Sequence, residues 1–554
     1  MKQLIALILT ALSCSVLFSN FAHAIVDMRN ANYSNTWIDL ELTGSGYELK
    51  VSRTYNSRTL FNGIFGFGWC SDYETKLDVT PEGNLKLTEC GAGQENYYFP
   101  REFNRKEINK TVGQIITALR AQRKTDEKTL KILETDLPTN HNLRAKYAFD
   151  LKISVSVKEG SQFYANSREV ENVVFAKGYY TRNLVDGSSQ RFTKEGRMTH
   201  LYDKNGNYIK IDYDKDVIKE VSDNNGRRLN FKFYTNHKVK SISGPNNLMV
   251  EYKFENMDDL TYVKNSWNNV YNYQYDDMHD LVKATFPDGT FVALSYDKKH
   301  NWVTSFTDRE KCKEEYLYEN SPDDPKNHYS SIVKKTCGKE VVTDSKYEFW
   351  HKVRADGEKY LWRVGSVING NSTEVTYHET FGKPVSIRKN GELFSFEYLA
   401  NGQVKQKATK YATLTYDYSK ENNKVSSVVA VSKSDKGKVM KTLKTEFKYD
   451  GKGNLIWASN SDGQRVEMSY DPKGRIASIK DQAKKFVKIE YDEKSGKPAV
   501  VSRPGLGTIH VTYKTSGEID KVNSNEGPSV AMQVASTFNN LLEIISPATA
   551  EVYN

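Results

Sequence analysis

"YDGKGNLIWASNSDGQRVEMS" (Tyr449–Ser469) and "YDPKGRIASIKDQAKKFVKIE" (Tyr470–Glu490) lie end to end, and the next dyad, Tyr491-Asp492, opens after the same 21-residue step. A phenol beside a carboxylate could be a reactive pair. Recurrence argues otherwise, because a catalytic site is assembled once from different residue types, whereas an element found in every unit is architectural. Each unit has one internal logic. The Tyr closes a strand, the Asp and a Gly four residues after the Tyr form a turn, and an alternating run such as Ile476, Ser478, Lys480 follows. A second turn, often Asp-Gly or Asn-Gly (Asp462-Gly463, Asn225-Gly226), sends the chain back. One unit is thus a β-hairpin, and a row of units predicts a long antiparallel sheet that must twist and coil, with an aromatic ladder along it.

The same dyads recur upstream. Tyr275-Asp276 and Tyr296-Asp297 are again 21 apart, and Tyr377 and Tyr398 keep the step without the aspartate. Tyr202-Asp203, Tyr213-Asp214 and Tyr416-Asp417 complete the set of repeat-defining pairs, and a late copy opens at Tyr513.

Composition agrees with a strand-rich chain. Of 554 residues 38% are apolar and 12% aromatic, with 35 tyrosines, which disfavours Leu-rich helical cores. The net charge of +9 reads as a mild bias spread along the chain, and no Lys/Arg block points to nucleic acid. The opening "MKQLIALILTALSCSVLFSNFAHA" has a short apolar run and an Ala22-His23-Ala24 cleavage signal, so residues 1–24 read as an export signal. Ala11-Leu12-Ser13 is a poor lipobox for Cys14, and no later stretch resembles a membrane span. Export places the protein in the periplasm, at the cell surface or outside the cell. Four cysteines then remain, Cys70, Cys90, Cys312 and Cys337. They allow three connectivities, of which proximity in sequence favours Cys70–Cys90 and Cys312–Cys337.

The units resemble the YD repeats of the Rhs (rearrangement hotspot)/YD-repeat family, over roughly Asp186 to Val522. "DLELTGSGYELKVSRTYNS" (Asp39–Ser57) and "GIFGFGWCSDYETKL" (Gly63–Leu77) are similar to that family's leading domain. The resemblance implies repeats that spiral into a β-walled shell, which in several members encloses a C-terminal toxin released by self-cleavage at aspartates of a conserved core. Two departures limit it. The paired Asp-Pro-x-Gly turns of that core are not visible, Asp471-Pro472 being one ordinary repeat turn, and no room for a toxin domain follows the last repeat.

The expected organisation is therefore an N-terminal β domain over 25–101, a helical insertion over 102–140, an all-β YD-repeat sheet or partial shell over 141–528, and a C-terminal helix and tail over 529–554. The insertion places Val112, Ile115, Ile116 and Leu119, then Leu130, Leu133 and Leu137, at helical spacing, with Pro138 and Thr-Asn-His ending it. The tail carries Val534, Phe538, Leu541, Leu542 and Ile545 at helical spacing. The ten histidines form no HExxH, no GxSxG-type serine is present, and no spacing suits zinc. We therefore expect no catalytic, cofactor or metal residues. The expected role is that of a non-enzymatic structural or interaction protein, binding envelope polysaccharide or another secreted protein. The alternative is a shell for a separately encoded toxin or effector.

Overall fold

The computed structural model describes residues 25–524, apart from short stretches at 43, 45, 92–94, 101–104, 124, 154, 166–169, 257, 355–358, 483–485, 494, 506 and 515–518. The export signal over 1–24 and the C-terminal helix and tail over 529–554 lie outside the described residues. Strands number β1 (Ile25–Asp27) to β42 (Ile519–Ser524) along the chain. Thirty-six of them, from β7 (Lys76–Val79) onward, form one antiparallel sheet in which almost every strand pairs with its sequence neighbours. The sheet is open. At its start a bridge between Lys76 and Arg197, and the Leu77 amide donating to the Gly196 carbonyl, tie β7 back to the turn before β14 (Met198–Tyr202).

The sheet coils. The turn between β14 and β15 (Tyr208–Asp214) meets the turn between β35 (Val439–Tyr449) and β36 (Leu455–Asn460). The turn between β16 (Val217–Asp223) and β17 (Arg228–Phe233) meets the one between β37 (Arg465–Tyr470) and β38 (Ile476–Asp481). Both offsets are 21 strands (35 minus 14, 37 minus 16), so one revolution takes 21 strands. At about 4.8 Å per strand that is a circumference of roughly 100 Å and a diameter of roughly 30 Å. Thirty-six strands make about 1.7 revolutions.

The first stretch of concave wall is filled. Strands β1, β2 (Asn32–Leu42), β3 (Leu49–Asn56) and β6 (Trp69–Cys70) form a separate four-stranded sheet. Tyr33, Trp37, Tyr55, Phe65 and Trp69 share one apolar core with Tyr252, Tyr273, Leu281, Leu294 and Phe306 of the large sheet. The expected boundary at 101 does not coincide with a sheet boundary, because β7, β8 (Leu85–Thr88) and β9 (Glu95–Phe99) already belong to the coil, and β9 pairs with β10 (Gln162–Ala165) across the helical insertion.

That insertion holds three helices, Arg105–Gln122, Glu127–Asp136 and His141–Asp150, packed on Ile115, Ile116, Leu130, Leu133 and Leu137. The third was unforeseen. Asn140, read as part of a stop, is an N-cap whose side chain accepts the Leu143 amide at 3.0 Å, so helix resumes after Pro138. Both cysteine pairs favoured by proximity are joined, Cys70 to Cys90 and Cys312 to Cys337.

Candidate functional site: tyrosine clamps, seam and concave wall

Tyr470 ends β37 at a register shift between Ser469 and Tyr470, and its ring lies on the face that buries Val466 and Met468. Its hydroxyl donates to the Leu455 carbonyl at 2.8 Å. Leu455 is the residue paired opposite Tyr449, the tyrosine of the preceding unit. The relation repeats. Tyr491 donates to Ile476, which is opposite Tyr470, and Tyr513 donates to Pro498, which is opposite Tyr491. Tyr296 donates to Leu281, opposite Tyr275, while Tyr275 and Tyr213 clamp Leu260 and Met198 in the same way. Each tyrosine thus locks the bulge made by its predecessor. Burial, with the nearby Asp450 and Tyr449 adding to it, pushes the Tyr470 phenol up to about 12, the wrong direction for a proton acceptor.

The aspartates are equally occupied. Asp471 Oδ1 accepts the amides of Lys473 at 3.0 Å and Arg475 at 2.9 Å, closing a turn in which Gly474 has φ of 82°. Asp203 holds Asn205 and Asn207, Asp276 holds Met278 and Asp280, and Asp450 holds Lys452 and Asn454. Burial pushes the Asp450 carboxyl up, but the Asn454 and Lys452 hydrogen bonds and the Lys204 charge outweigh it and hold it below the ordinary range. Asp297 accepts the Lys299 and His300 amides, Asp492 accepts Ser495, and Asp214 closes a tight hairpin opposite Val217.

Two sequence-defined dyads fall elsewhere. Tyr416 pairs with Val428 in mid-strand and Asp417 accepts the Ser427 hydroxyl; the clamp of that unit is Tyr418, which follows the register shift and donates to Val404 at 2.7 Å. Tyr202 stands at an unshifted hairpin end, its ring against His200 and Tyr208, although Asp203 still caps the turn.

The seam between revolutions is built from these turns. Asn454 Nδ2 donates to Asn205 Oδ1 at 2.9 Å, Asn207 Nδ2 to the Lys473 carbonyl at 3.0 Å, and Lys473 Nζ to Asn225 Oδ1 at 3.0 Å. A cleft of about 700 Å³ opens there, lined by Asn205, Asp450, Asn454, Trp457, Tyr470 and Pro472. Sequence gave no sign of the seam, since its partners are some 250 residues apart.

A second unforeseen constellation ties the N-terminal sheet to the wall. Arg53 and Asp39 are fully buried and paired at 2.6 Å. Arg53 also donates to the Tyr273 hydroxyl and sits over the Trp69 ring at 4.7 Å, and the Tyr252 hydroxyl donates to Asp39. A signal was present: in Leu49, Val51, Arg53, Tyr55 the arginine occupies an inward position of an alternating strand.

Beyond Val333 the concave wall is only half covered. Phe349, Val364, Val375, Ile387 and Phe394 form one cross-strand row, of which only Phe349 is buried. On the opposite face Trp350 carries Arg363 at 3.8 Å and stacks with His328, while Lys352 lies 3.6 Å from the Trp362 ring. Among the described residues no group of three or more His, Cys, Asp or Glu could hold a metal ion, and no helix is long and apolar enough to cross a membrane.

Known proteins can now be set beside this geometry. Residues 24–97 match the model of a domain of unknown function, DUF6531. No curated protein sequence matches the chain. Among solved structures, TcdB2-TccC3-TEV is 11% identical with a TM-score of 0.41, over 95% of this chain and 29% of that one. TcdB2-TccC3-Cdc42 is 10% identical with a TM-score of 0.40, over 87% and 27%. A Photorhabdus luminescens Tc holotoxin pore is 10% identical with a TM-score of 0.26, over 89% and 36%. The chain thus spans about a third or less of the length of these proteins. The Teneurin YD-shell model matches residues 165–553, well over half of the chain, and with the coil of clamped Tyr-Asp hairpins it shows that this is an Rhs-type YD-repeat protein belonging to the YD-shell family.

Proposed function

We propose that the chain is an exported, non-enzymatic shell scaffold that presents its wall to other components of the cell envelope. One observation carries this reading: in most repeat units, Tyr470-Asp471 among them, the Tyr and Asp are spent on carbonyls and turn amides, so the element that looked reactive is fastening. The alternative, a capsule for a separate effector, needs an enclosed, polar-lined space, whereas the concave wall beyond Val333 carries the apolar row Phe349, Val364, Val375, Ile387 and Phe394. For a carbohydrate ligand the indole faces of Trp350 and Trp362 are poorly placed, being occupied by Arg363 and Lys352, whereas Trp267 is 47% exposed in a turn. The test is pull-down of the mature chain on peptidoglycan and envelope polysaccharide, with release of products assayed in parallel. Retention reduced several-fold by Trp267→Ala supports a glycan platform. Retention unaffected by Trp267→Ala removes the glycan role of that residue, and turnover of any of these polymers overturns the non-enzymatic reading.

A further inference from the structure

Hairpin turns alternate between the two edges of the sheet. The turns at 419–424, 450–454 and 471–475 lie on the edge that docks onto the first revolution. The intervening turns, at 337–340, 369–370, 390–391, 409–411 and 434–438, therefore share the opposite edge, and no described residue packs over it. Several strands there run long. Strands β26 (His328–Cys337), β27 (Glu340–Val353) and β28 (Lys359–Ile368) have 10, 14 and 10 residues, and β35 has 11, against 5 to 7 in most of the coil.

This rim concentrates exposed apolar side chains. Of thirteen large apolar residues exposed between Phe291 and Ile519 among the described residues, ten flank turns of this edge. Val341, Ile368, Leu393, Tyr411, Val439 and Met440 are 48%, 39%, 45%, 46%, 54% and 67% exposed. Lysines are dense in this part of the chain, contrary to the even bias expected from the sequence: residues 401–454 hold 12 lysines against 5 carboxylates, of which Lys420, Lys424 and Lys452 belong to the docked edge. Lys410, Lys433, Lys436, Lys438 and Lys441 stand at the tips, where Asp435 and Asp462 neutralise only part of their charge.

We infer that this rim docks onto an anionic lipid bilayer surface, its aliphatic fingertips entering the headgroup boundary while the lysines pair with lipid phosphates. The tips are spaced by whole hairpins, about 10 Å apart, so they form a crown of separate small apolar points rather than the contiguous patch that a protein partner buries. Aliphatic tips flanked by lysines are the composition of interfacial binders, in which buried apolar area and attraction to anionic lipid add and each lysine stem lies along the surface with its ammonium at the phosphates. Glycans would call for flat aromatic faces, and only Tyr411 of the six named tips supplies one.

The mature chain is floated or sedimented with vesicles of phosphatidylcholine alone and of phosphatidylcholine with phosphatidylglycerol at 1:1, at 50 and 500 mM NaCl. Binding is expected to the mixed vesicles at low salt, at least about tenfold tighter than to phosphatidylcholine or at high salt. Val439→Ser/Met440→Ser and Lys436→Glu/Lys438→Glu, all exposed positions, should each weaken it about tenfold with an unchanged circular-dichroism melt. The inference is overturned by absence of vesicle binding at 50 mM NaCl, by equal binding to both vesicle types, or by wild-type binding of either variant. It is also overturned if light scattering shows a dimer that Val439→Ser/Met440→Ser dissociates, or if an anionic polysaccharide captures wild type and this variant alike and displaces the vesicles.

Discussion

Asn205 and Asn454, 249 residues apart, meet through a 2.9 Å hydrogen bond between their side chains, and Gly474 sits against the same Asn205. A Cβ on Gly474 would come within 2.0 Å of Asn205 Nδ2, whereas one on Gly463, with nearly the same φ, meets nothing within 4 Å. Gly474→Ala and Gly463→Ala should therefore share the cost of a left-handed residue, about 1 kcal/mol, and Gly474→Ala should cost about 1 kcal/mol more. Equal losses in chemical denaturation would mean that the seam contributes nothing at this point.

The clamps give a direct comparison. Tyr470→Phe keeps the ring and leaves the Leu455 carbonyl without its partner, at about 1 kcal/mol. Tyr202→Phe, whose ring stacks at an unshifted hairpin end, should stay within about 0.5 kcal/mol. The order of the two midpoints in urea decides the matter.

Removing one member of the buried ion pair should be far costlier than either. Asp39→Ala leaves the Arg53 guanidinium buried without its counter-charge, a loss of about 3–5 kcal/mol, while Asp39→Ala with Arg53→Met recovers part of it. A double variant less stable than both singles would contradict the pairing argument.

Acidity enters through Glu74. Burial pushes its carboxyl up to about 7, against amide hydrogen bonds from Ile64 and Ser71 and the Lys238 charge, which lower it. The folded value lies above the unfolded value of about 4.5. Its contribution is thus fully present below pH 4.5 and is lost as pH rises through 7, because the unfolded chain has already given up the proton that the folded chain retains. Glu74→Gln should flatten stability against pH between 5 and 8, lowering the protons linked to unfolding by up to one. An unchanged slope would show that Glu74 titrates normally.

Each disulfide closes a short loop, of 20 and 25 residues in sequence separation. Replacing either pair by serines should cost about 3 kcal/mol, read as a lower midpoint in guanidinium without reductant.

The repeat was legible because its turn chemistry is local: the capping aspartate and the left-handed glycine lie within four residues, so spacing reports hairpins directly. Tyr416-Asp417 misled because the dipeptide is only a proxy. What selects the clamp is position relative to the bulge, which puts Tyr418 there even though no aspartate follows it. The third helix was hidden by Asn140, since one residue can end a helix or cap the next and the choice lies in packing. The seam and the lysine rim were out of reach, for both depend on how many strands complete a revolution, and that follows from the accumulated twist of the whole sheet.

A revolution of 21 strands is an odd number, so each turn of the first coil meets a turn from the opposite edge of the second. The polypeptide between Asn205 and Asn454 consequently works as a ruler. Deleting one hairpin leaves every local bond intact yet slides all later turns by one partner, bringing the Lys473 loop to where Asn454 had been. Repeats that look interchangeable along the chain are individually addressed around the coil, and their number between seam partners is fixed by geometry.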